Sequence, residues 1–208
     1  MWEKPNIYID CENTVFDVKT AVLKQAKKEN KNFPNSFFQN TKTSSKDAFV
    51  KLITKEVYYK ILSNNVFWEN IEIDAGFINF YREYEDMFDW NFIVNSHANE
   101  FKKLLECYSI NVCNMIKIPT SVEREFGEQE PIIDNGVYVS SDIKELNISD
   151  AFLKFLIDES GTAALNPLTP DTECFIVKRW ENIDFILDYF ARNPYDELLK
   201  YENHFNFS

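Results

Sequence analysis

Short runs of consecutive apolar residues alternate along this chain with longer segments in which apolar residues recur every three or four positions. The short runs are typical of buried strands, and the longer segments are typical of helices that cover the faces of a sheet. Strands are predicted at residues 7–9, 91–95, 111–118, 137–139, 154–157 and 174–177. The alternation predicts an α/β fold with a doubly wound, mostly parallel sheet.

The helical segments also indicate how the chain is divided. Helices are predicted over residues 18–30, 77–86, 99–106 and 183–191, with further helical periodicity between residues 45 and 62. Residues 17–74 are thus mostly helical and lie between the first strand and the next helix–strand unit. We predict a helical insertion over 17–74 in an α/β core formed by 1–16 and 75–208.

The charge of the chain excludes several classes of partner. Its 208 residues carry a net charge of −12, and its pI is near 4.7. Proteins that bind duplex nucleic acid rely on Lys and Arg to contact phosphates, so we expect no such partner and no anionic membrane surface. No signal peptide opens the chain and no apolar run approaches the ~20 residues of a membrane span, so we expect a cytoplasmic protein.

The cysteines offer no metal site by their spacing. Cys107 and Cys113 are separated by six positions, and the two histidines, His97 and His204, do not complete a zinc pattern with them. We expect the four cysteines to be reduced and mostly buried.

Residues 6–17 carry the candidate chemistry. Asp10 lies at the carboxyl end of the first predicted strand, and Glu12 and Thr14 follow it. Ligands collect at this end of the strands in an open α/β sheet, and two carboxylates so close together suit a divalent cation with oxygen ligands. The alternative is a polar turn after an edge strand.

Three predicted strands end in small polar or acidic residues: Asp10, Ser96 and the pair Asp158-Glu159. Their order and spacing resemble the motifs of the haloacid dehalogenase-like (HAD) phosphohydrolases, of which the first is Asp-x-Asp-x-Thr/Val after an apolar strand. Here the second acidic position is Glu12, and Asn13 replaces the usual glycine.

Two further stretches are similar to the 5′(3′)-deoxyribonucleotidase branch of that family. They are residues 67–77, before the second motif, and the Leu-Ile-Asp-Glu run at 156–159. The branch has a small helical cap between the first and second motifs, so the resemblance implies that 17–74 is a cap. It also implies a small phosphorylated substrate, with a nucleoside monophosphate as the first choice.

The resemblance implies a role for each motif residue. Asp10 would attack the phosphorus and form an aspartyl-phosphate, and Ser96 would hydrogen-bond a phosphate oxygen. Mg²⁺ would bind the Asp10 carboxylate, the backbone carbonyl of Glu12 and the Asp158 carboxylate. Glu12 would act as the general acid and base.

The family also uses a lysine to neutralise charge, and the sequence leaves its position open. Residues 140–144 resemble the branch's Thr-x-Asp-Lys motif with one residue inserted, which makes Lys144 the first choice. Lys117 and Lys154 are rivals. The alternative is that all three are solvated surface lysines.

Three other residues near the motifs have two interpretations each. The resemblance implies that Phe67 and Trp68 line a nucleobase pocket, whereas an aromatic pair before a turn is more often part of the core. His97 follows the Ser96 motif position and could contact the substrate, although the family does not require it.

Two functions remain open from the sequence. The first is a Mg²⁺-dependent phosphatase of small metabolites. The second is a catalytically weak or inactive protein that uses the same scaffold to bind a ligand or a protein partner. Asp10, Ser96 and Asp158 favour the enzyme, while Glu12 and the unplaced lysine favour the alternative.

Overall fold

A computed structural model describes residues 4–29, 53–119, 133, 136–147, 149–158 and 174–192. In these residues, six parallel strands form a single sheet in the order β3-β2-β1-β4-β5-β6. The strands are β1 (Asn6–Asp10), β2 (Asp89–Val94), β3 (Asn114–Lys117), β4 (Gly136–Ser140), β5 (Leu153–Ile157) and β6 (Phe175–Val177). The prediction of a doubly wound parallel α/β sheet is confirmed.

The order of the strands reverses at the centre of the sheet. β1 pairs with β2 on one side and with β4 on the other. The connections that leave β1 and β4 therefore diverge, which opens a crevice at the carboxyl ends of these two strands. Asp10 is the last residue of β1, so it lies at the edge of this crevice.

The described helices lie between the strands, most of them at predicted places, although the sequence pattern does not predict the short helix after β4. In chain order they are α1 (Val18–Glu29), α2 (Lys55–Leu62), α3 (Asn65–Trp68), α4 (Ala75–Tyr84), α5 (Ala98–Cys107), α6 (Ile143–Asn147) and α7 (Trp180–Arg192). α4 begins two residues before its predicted start, because Asp74 caps it by accepting a hydrogen bond from Phe77 N at 3.0 Å.

The core has two parts, one on each face of the sheet. Ile7 and Ile9 point to the larger cluster, while Tyr8 points to a smaller cluster with Tyr138, because successive strand residues face opposite sides. Tyr58 of α2 belongs to the same large cluster as Ile7. The described part of the insertion thus shares the large core cluster, and α2 packs against α1 and α3. Its division into a separate cap stays a prediction.

Several predictions lie outside the described residues: the loop at 31–43, the acidic excursion at 122–131, Glu159 and the tail at 195–208. The expectation that the cysteines are mostly buried is wrong for Cys107 and Cys113, which are exposed. In the described part of the chain, no helix has the length and apolar content needed to cross a membrane.

Candidate active site

The carboxylate of Asp10 is the centre of the candidate site. Its side chain is 3% exposed. Oδ1 accepts a hydrogen bond from Glu12 N at 3.0 Å, and Oδ2 accepts from Thr14 Oγ1 at 3.3 Å and from Ser140 Oγ at 3.2 Å. Donors on both oxygens compensate the loss of water around a buried charge and fix its orientation.

A tight turn follows Asp10, and Asn13 adopts a left-handed backbone there, with φ of 66°. Asn13 N donates to Phe16 O at 2.7 Å, and Asn13 Oδ1 accepts from Lys19 N at 2.9 Å. Asparagine tolerates this conformation better than most residues with a side chain. The turn therefore retains a glycine-like backbone, and the asparagine side chain additionally secures the first turn of α1.

Glu12 is also buried and has a partner from the insertion. Its side chain is 7% exposed, and its Oε1 accepts a hydrogen bond from Tyr58 OH at 3.0 Å. Burial, and next the charge of Glu12, raise the pKa of Tyr58 well above its ordinary value. Tyr58 is accordingly a protonated donor to Glu12 at neutral pH.

The carboxyl end of β4 completes the polar surroundings of Asp10. Ser141 N donates to Thr14 Oγ1 at 2.9 Å, and Asp142 N donates to Ser140 Oγ at 3.0 Å. Ser140 Oγ also lies 3.3 Å from Glu145 Oε2, so its single proton is shared between Glu145 and Asp10. The sequence pattern at 140–144 resembles a lysine motif and gives no sign that Ser140 contacts Asp10 or that Asp142 contacts Ser140.

Lys19 is a second residue that sequence reasoning missed. It lies on the first turn of α1 and is largely buried. Burial lowers its pKa, whereas the charges of Asp142, Glu12 and Asp10 act in the opposite direction. The Lys19 side chain thus interacts electrostatically with carboxylates at the carboxyl edge of the sheet. Its position among the lysines of α1 gave no signal, since helical spacing alone does not distinguish them.

Ser96 and His97 follow β2, the neighbour of β1, at the same edge of the sheet. Ser96 Oγ lies 2.8 Å from His97 Nδ1. His97 has a left-handed backbone with φ of 59°, and its ring centroid is 5.0 Å from that of Trp68. His97 thus contacts Ser96 and Trp68, and its predicted contact with the substrate stays a prediction.

Asp158 lies further from Asp10 than the other motif residues. It follows β5, and its backbone N–H donates to Val177 O at 2.8 Å. β4 separates β5 from β1. Two strand spacings amount to about 10 Å, so the axis of the strand that carries Asp158 is about that far from the axis of β1.

The three candidate lysines are dispersed over the sheet. Lys144 lies on α6 after β4, and its side chain is outside the described part. Lys117 is the last residue of β3 and is exposed. Lys154 is the second residue of β5 and pairs with Tyr138. It therefore precedes the carboxyl end of β5 by about 10 Å.

Phe67 and Trp68 have the surroundings of core residues. Their side chains are 6% and 5% exposed, and their rings are 5.3 Å apart. Trp68 Nε1 donates to Leu62 O at 2.7 Å, and its ring lies 5.2 Å from that of Phe101. Phe67 also lines a groove of about 280 Å³ between α1 and α3, on whose α1 side lie Thr20 and Lys24.

The donor chemistry near Asp10 is compatible with magnesium. The described residues contain no group of three or more His, Cys, Asp or Glu side chains placed to hold a metal. Mg²⁺, however, commonly uses one or two carboxylates together with water and substrate phosphate. Asp10 at the end of β1 and Asp142 just after the adjacent β4 are carboxylates that follow neighbouring strands, whereas Asp158 is separated from Asp10 by β4.

No family model and no curated protein sequence matches this chain. Solved structures do match it. A protein named as a HAD-hydrolase, YfnB from Bacillus subtilis bound to magnesium, has a TM-score of 0.57 at 12% identity, over 90% of this chain and 100% of that one. A HAD family hydrolase from Deinococcus radiodurans with bound phosphate and sodium has a TM-score of 0.59 at 10% identity, over 90% of this chain and 96% of that one.

A third match is a haloacid dehalogenase-like family protein from Streptococcus pneumoniae. Its TM-score is 0.53 at 12% identity, over 90% of this chain and 98% of that one. The chain has the fold of the HAD hydrolases. At such low identity, the likeness concerns the fold alone.

Proposed function

We propose that this protein hydrolyses phosphate monoesters through an aspartyl-phosphate on Asp10, with nucleoside monophosphates as the preferred substrates. The observation that carries the proposal is the buried Asp10 carboxylate, which is held by donors on both oxygens at the carboxyl end of the central strand. Two solved structures with this fold contain magnesium or phosphate, which supports the same chemistry.

The proposed reaction has two steps, formation and hydrolysis of the aspartyl-phosphate. A carboxylate oxygen of Asp10 bonds to phosphorus while the bond from phosphorus to the ester oxygen breaks, and Glu12 gives a proton to the departing alkoxide. Water then attacks phosphorus, Glu12 takes a proton from that water, and the Asp10 carboxylate is released with inorganic phosphate. Ser96 binds a phosphate oxygen.

Lys19 is our preferred candidate for the cation that balances the phosphate charge. Its electrostatic interactions with Asp142, Glu12 and Asp10 support this choice. Lys144, Lys117 and Lys154 are the alternatives from the sequence. Preorganised positive charge stabilises the transferring phosphoryl group more strongly in a water-poor site than in solvent.

Magnesium is the proposed cofactor. When bound, it would offset the repulsion between the anionic nucleophile and the anionic phosphate. Asp10, Asp142 and the backbone carbonyl of Glu12 would hold it, and Asp158 is the alternative ligand from the sequence. Residues 17–74 are proposed as the cap over this site.

Phosphate release from a panel of monophosphates, with Mg²⁺ and with EDTA, tests the proposal. Wild-type protein is expected to release phosphate in Mg²⁺ and to lose this activity in EDTA. Asp89→Asn is the matched control for Asp10→Asn, because Asp89 is exposed and begins β2 at the opposite edge of the sheet. Absence of turnover for every monophosphate would contradict the proposal.

A catalytically weak or inactive binding protein is the second candidate. The observation in its favour is Glu12, which is longer than the aspartate of the resembling motif and is engaged by Tyr58. Calorimetric binding of a monophosphate without release of phosphate would support this function instead.

A further inference from the structure

Tyr58 links the helical insertion directly to the acid/base residue of the proposed reaction. It lies on α2, 46 positions from Glu12 in the sequence, and its hydroxyl donates to Glu12 Oε1 at 3.0 Å. Tyr58 is 3% exposed and Glu12 is 7% exposed. Bulk water therefore competes little for this bond, and a hydrogen bond to a buried carboxylate is strongly directional.

The hydrogen bond from Tyr58 restricts the orientation of the Glu12 carboxylate. Glutamate has one more rotatable bond than aspartate, so it requires more external contacts to keep its carboxylate in one place. Glu12 N is tied to Asp10, but that bond fixes only the backbone. Tyr58 supplies a fixed point at the carboxylate itself. Since a carboxylate accepts about four hydrogen bonds, one donor does not exhaust its capacity.

The surroundings of Tyr58 make it a rigid support. Ile61 and Leu62 on the same helix are buried in the large core cluster together with Phe16, which follows the Glu12 turn. α2 also packs against α1, which begins directly after that turn. The tyrosine hydroxyl is thus held from the same body of packed residues that holds the turn.

We propose that Tyr58 is a positioning residue that aims the carboxylate of Glu12 at the leaving oxygen of the substrate. This inference rests on the proposed function, in which Glu12 protonates the leaving alkoxide. It assigns the insertion a part in catalysis through a single hydrogen bond. The bond replaces the rigidity that a shorter aspartate side chain would have by itself.

The dependence of the rate on the leaving group tests the inference. A nucleoside 5′-monophosphate has an alkoxide leaving group that needs a proton, whereas p-nitrophenolate leaves without one. In Tyr58→Phe, single-turnover release of the nucleoside is expected to slow by about 10-fold or more, because general acid catalysis contributes about 10²–10⁴-fold and needs accurate placement. Release of p-nitrophenolate is expected to change by less than about 3-fold.

Tyr84→Phe is the matched control. Tyr84 OH also donates to a carboxylate, that of Asp184, but this pair lies between α4 and α7, away from the carboxyl edge of β1. The control should leave the ratio of the two rates unchanged. A merely structural role of Tyr58 would instead slow both substrates equally in Tyr58→Phe, and that result would overturn the inference.

A double variant sharpens the test. If Tyr58 acts through Glu12, then Tyr58→Phe/Glu12→Gln should release the nucleoside no more slowly than Glu12→Gln alone. Additive losses would refute the inference. If Tyr58→Phe does not fold, Tyr58→Leu is assayed with the same ratio criterion. Failure of wild-type protein to turn over either substrate would count against the proposed function, whereas an unchanged ratio in an active variant counts against Tyr58 alone.

Discussion

Two buried regions of this protein are held together in different ways. The carboxyl-edge network consists of Asp10, Glu12, Thr14, Tyr58 and Ser140. The aromatic cluster lies between α4, β2 and α7 and consists of Phe77, Phe80, Tyr81, Tyr84, Trp90, Phe92 and Trp180. The network is joined by hydrogen bonds between its members, whereas the members of the cluster contact one another through rings whose centroids are 4.7 to 6.4 Å apart.

This difference suggests that the cluster contributes mainly to stability and the network mainly to the proposed chemistry. Ring packing has no strict direction, so the aromatic cluster tolerates a polar atom without a partner in the described part: Trp90 Nε1 is buried and unbonded. A buried carboxylate needs hydrogen-bond partners, because burying an unpaired charge costs far more free energy than burying an unpaired indole N–H. Substitutions in the cluster should therefore change stability, and substitutions in the network should chiefly change activity.

Asp10→Asn should produce the largest effect on the activity side. Removing the proposed nucleophile is expected to reduce kcat by on the order of 10⁴-fold or more, equivalent to about 5.5 kcal/mol of barrier. The fold should persist, because asparagine retains the size of the side chain. Phosphate release and circular dichroism measure the two outcomes, and turnover within about 10-fold of wild type would exclude Asp10 as the nucleophile.

Phe77→Ala should produce the largest effect on the stability side. Phe77 is fully buried, and its ring lies 5.0 Å from that of Trp180. Loss of a buried phenyl ring costs about 3–5 kcal/mol of the free energy of unfolding, measured by urea denaturation. Phe185→Ala is the control, since Phe185 is 55% exposed. Equal costs for the two variants would contradict the central role of the cluster.

Lys19→Met tests whether the network extends to α1. The substitution keeps an unbranched side chain and removes the charge, so kcat/KM is expected to fall by about 10–100-fold, or about 1.4–2.8 kcal/mol. Lys24→Met is the control, because Lys24 lines the groove on another face of α1. A silent Lys19→Met together with a strong effect of Lys144→Met, Lys117→Met or Lys154→Met would move the role to that lysine.

Trp90→Phe should have the smallest effect. The change loses some ring area but also removes the unbonded indole N–H, so the free energy of unfolding is expected to change by less than about 1 kcal/mol. Trp68→Phe is the comparison, since Trp68 Nε1 donates to Leu62 O and its loss leaves that carbonyl unpaired. In thermal unfolding, Trp68→Phe should lower the melting temperature more than Trp90→Phe does. The reverse order would show that the unbonded indole N–H of Trp90 does not reduce stability.

The sequence alone was sufficient to place the main elements of the sheet. Apolar runs located all six described strands to within a few residues, because burial on both faces of a parallel sheet leaves a continuous apolar signature. It also located Asp10 at a strand end. Helix ends were less accurate, as with α4, because a cap such as Asp74 depends on one local hydrogen bond.

The tertiary structure alone decided which side chains surround Asp10. The order of the strands in the sheet depends on how the connecting helices pack, and local sequence patterns carry no information about it. The placement of β4 between β1 and β5 was therefore not predictable from those patterns. That placement brings Ser140 to Asp10 and sets Asp158 two strands away. The partners Lys19 and Tyr58 likewise come from helices whose periodicity shows which face is buried but not which polar group that face will meet. Local pattern thus determined the elements and the position of Asp10 at a strand end, and long-range packing determined the charges and donors around it.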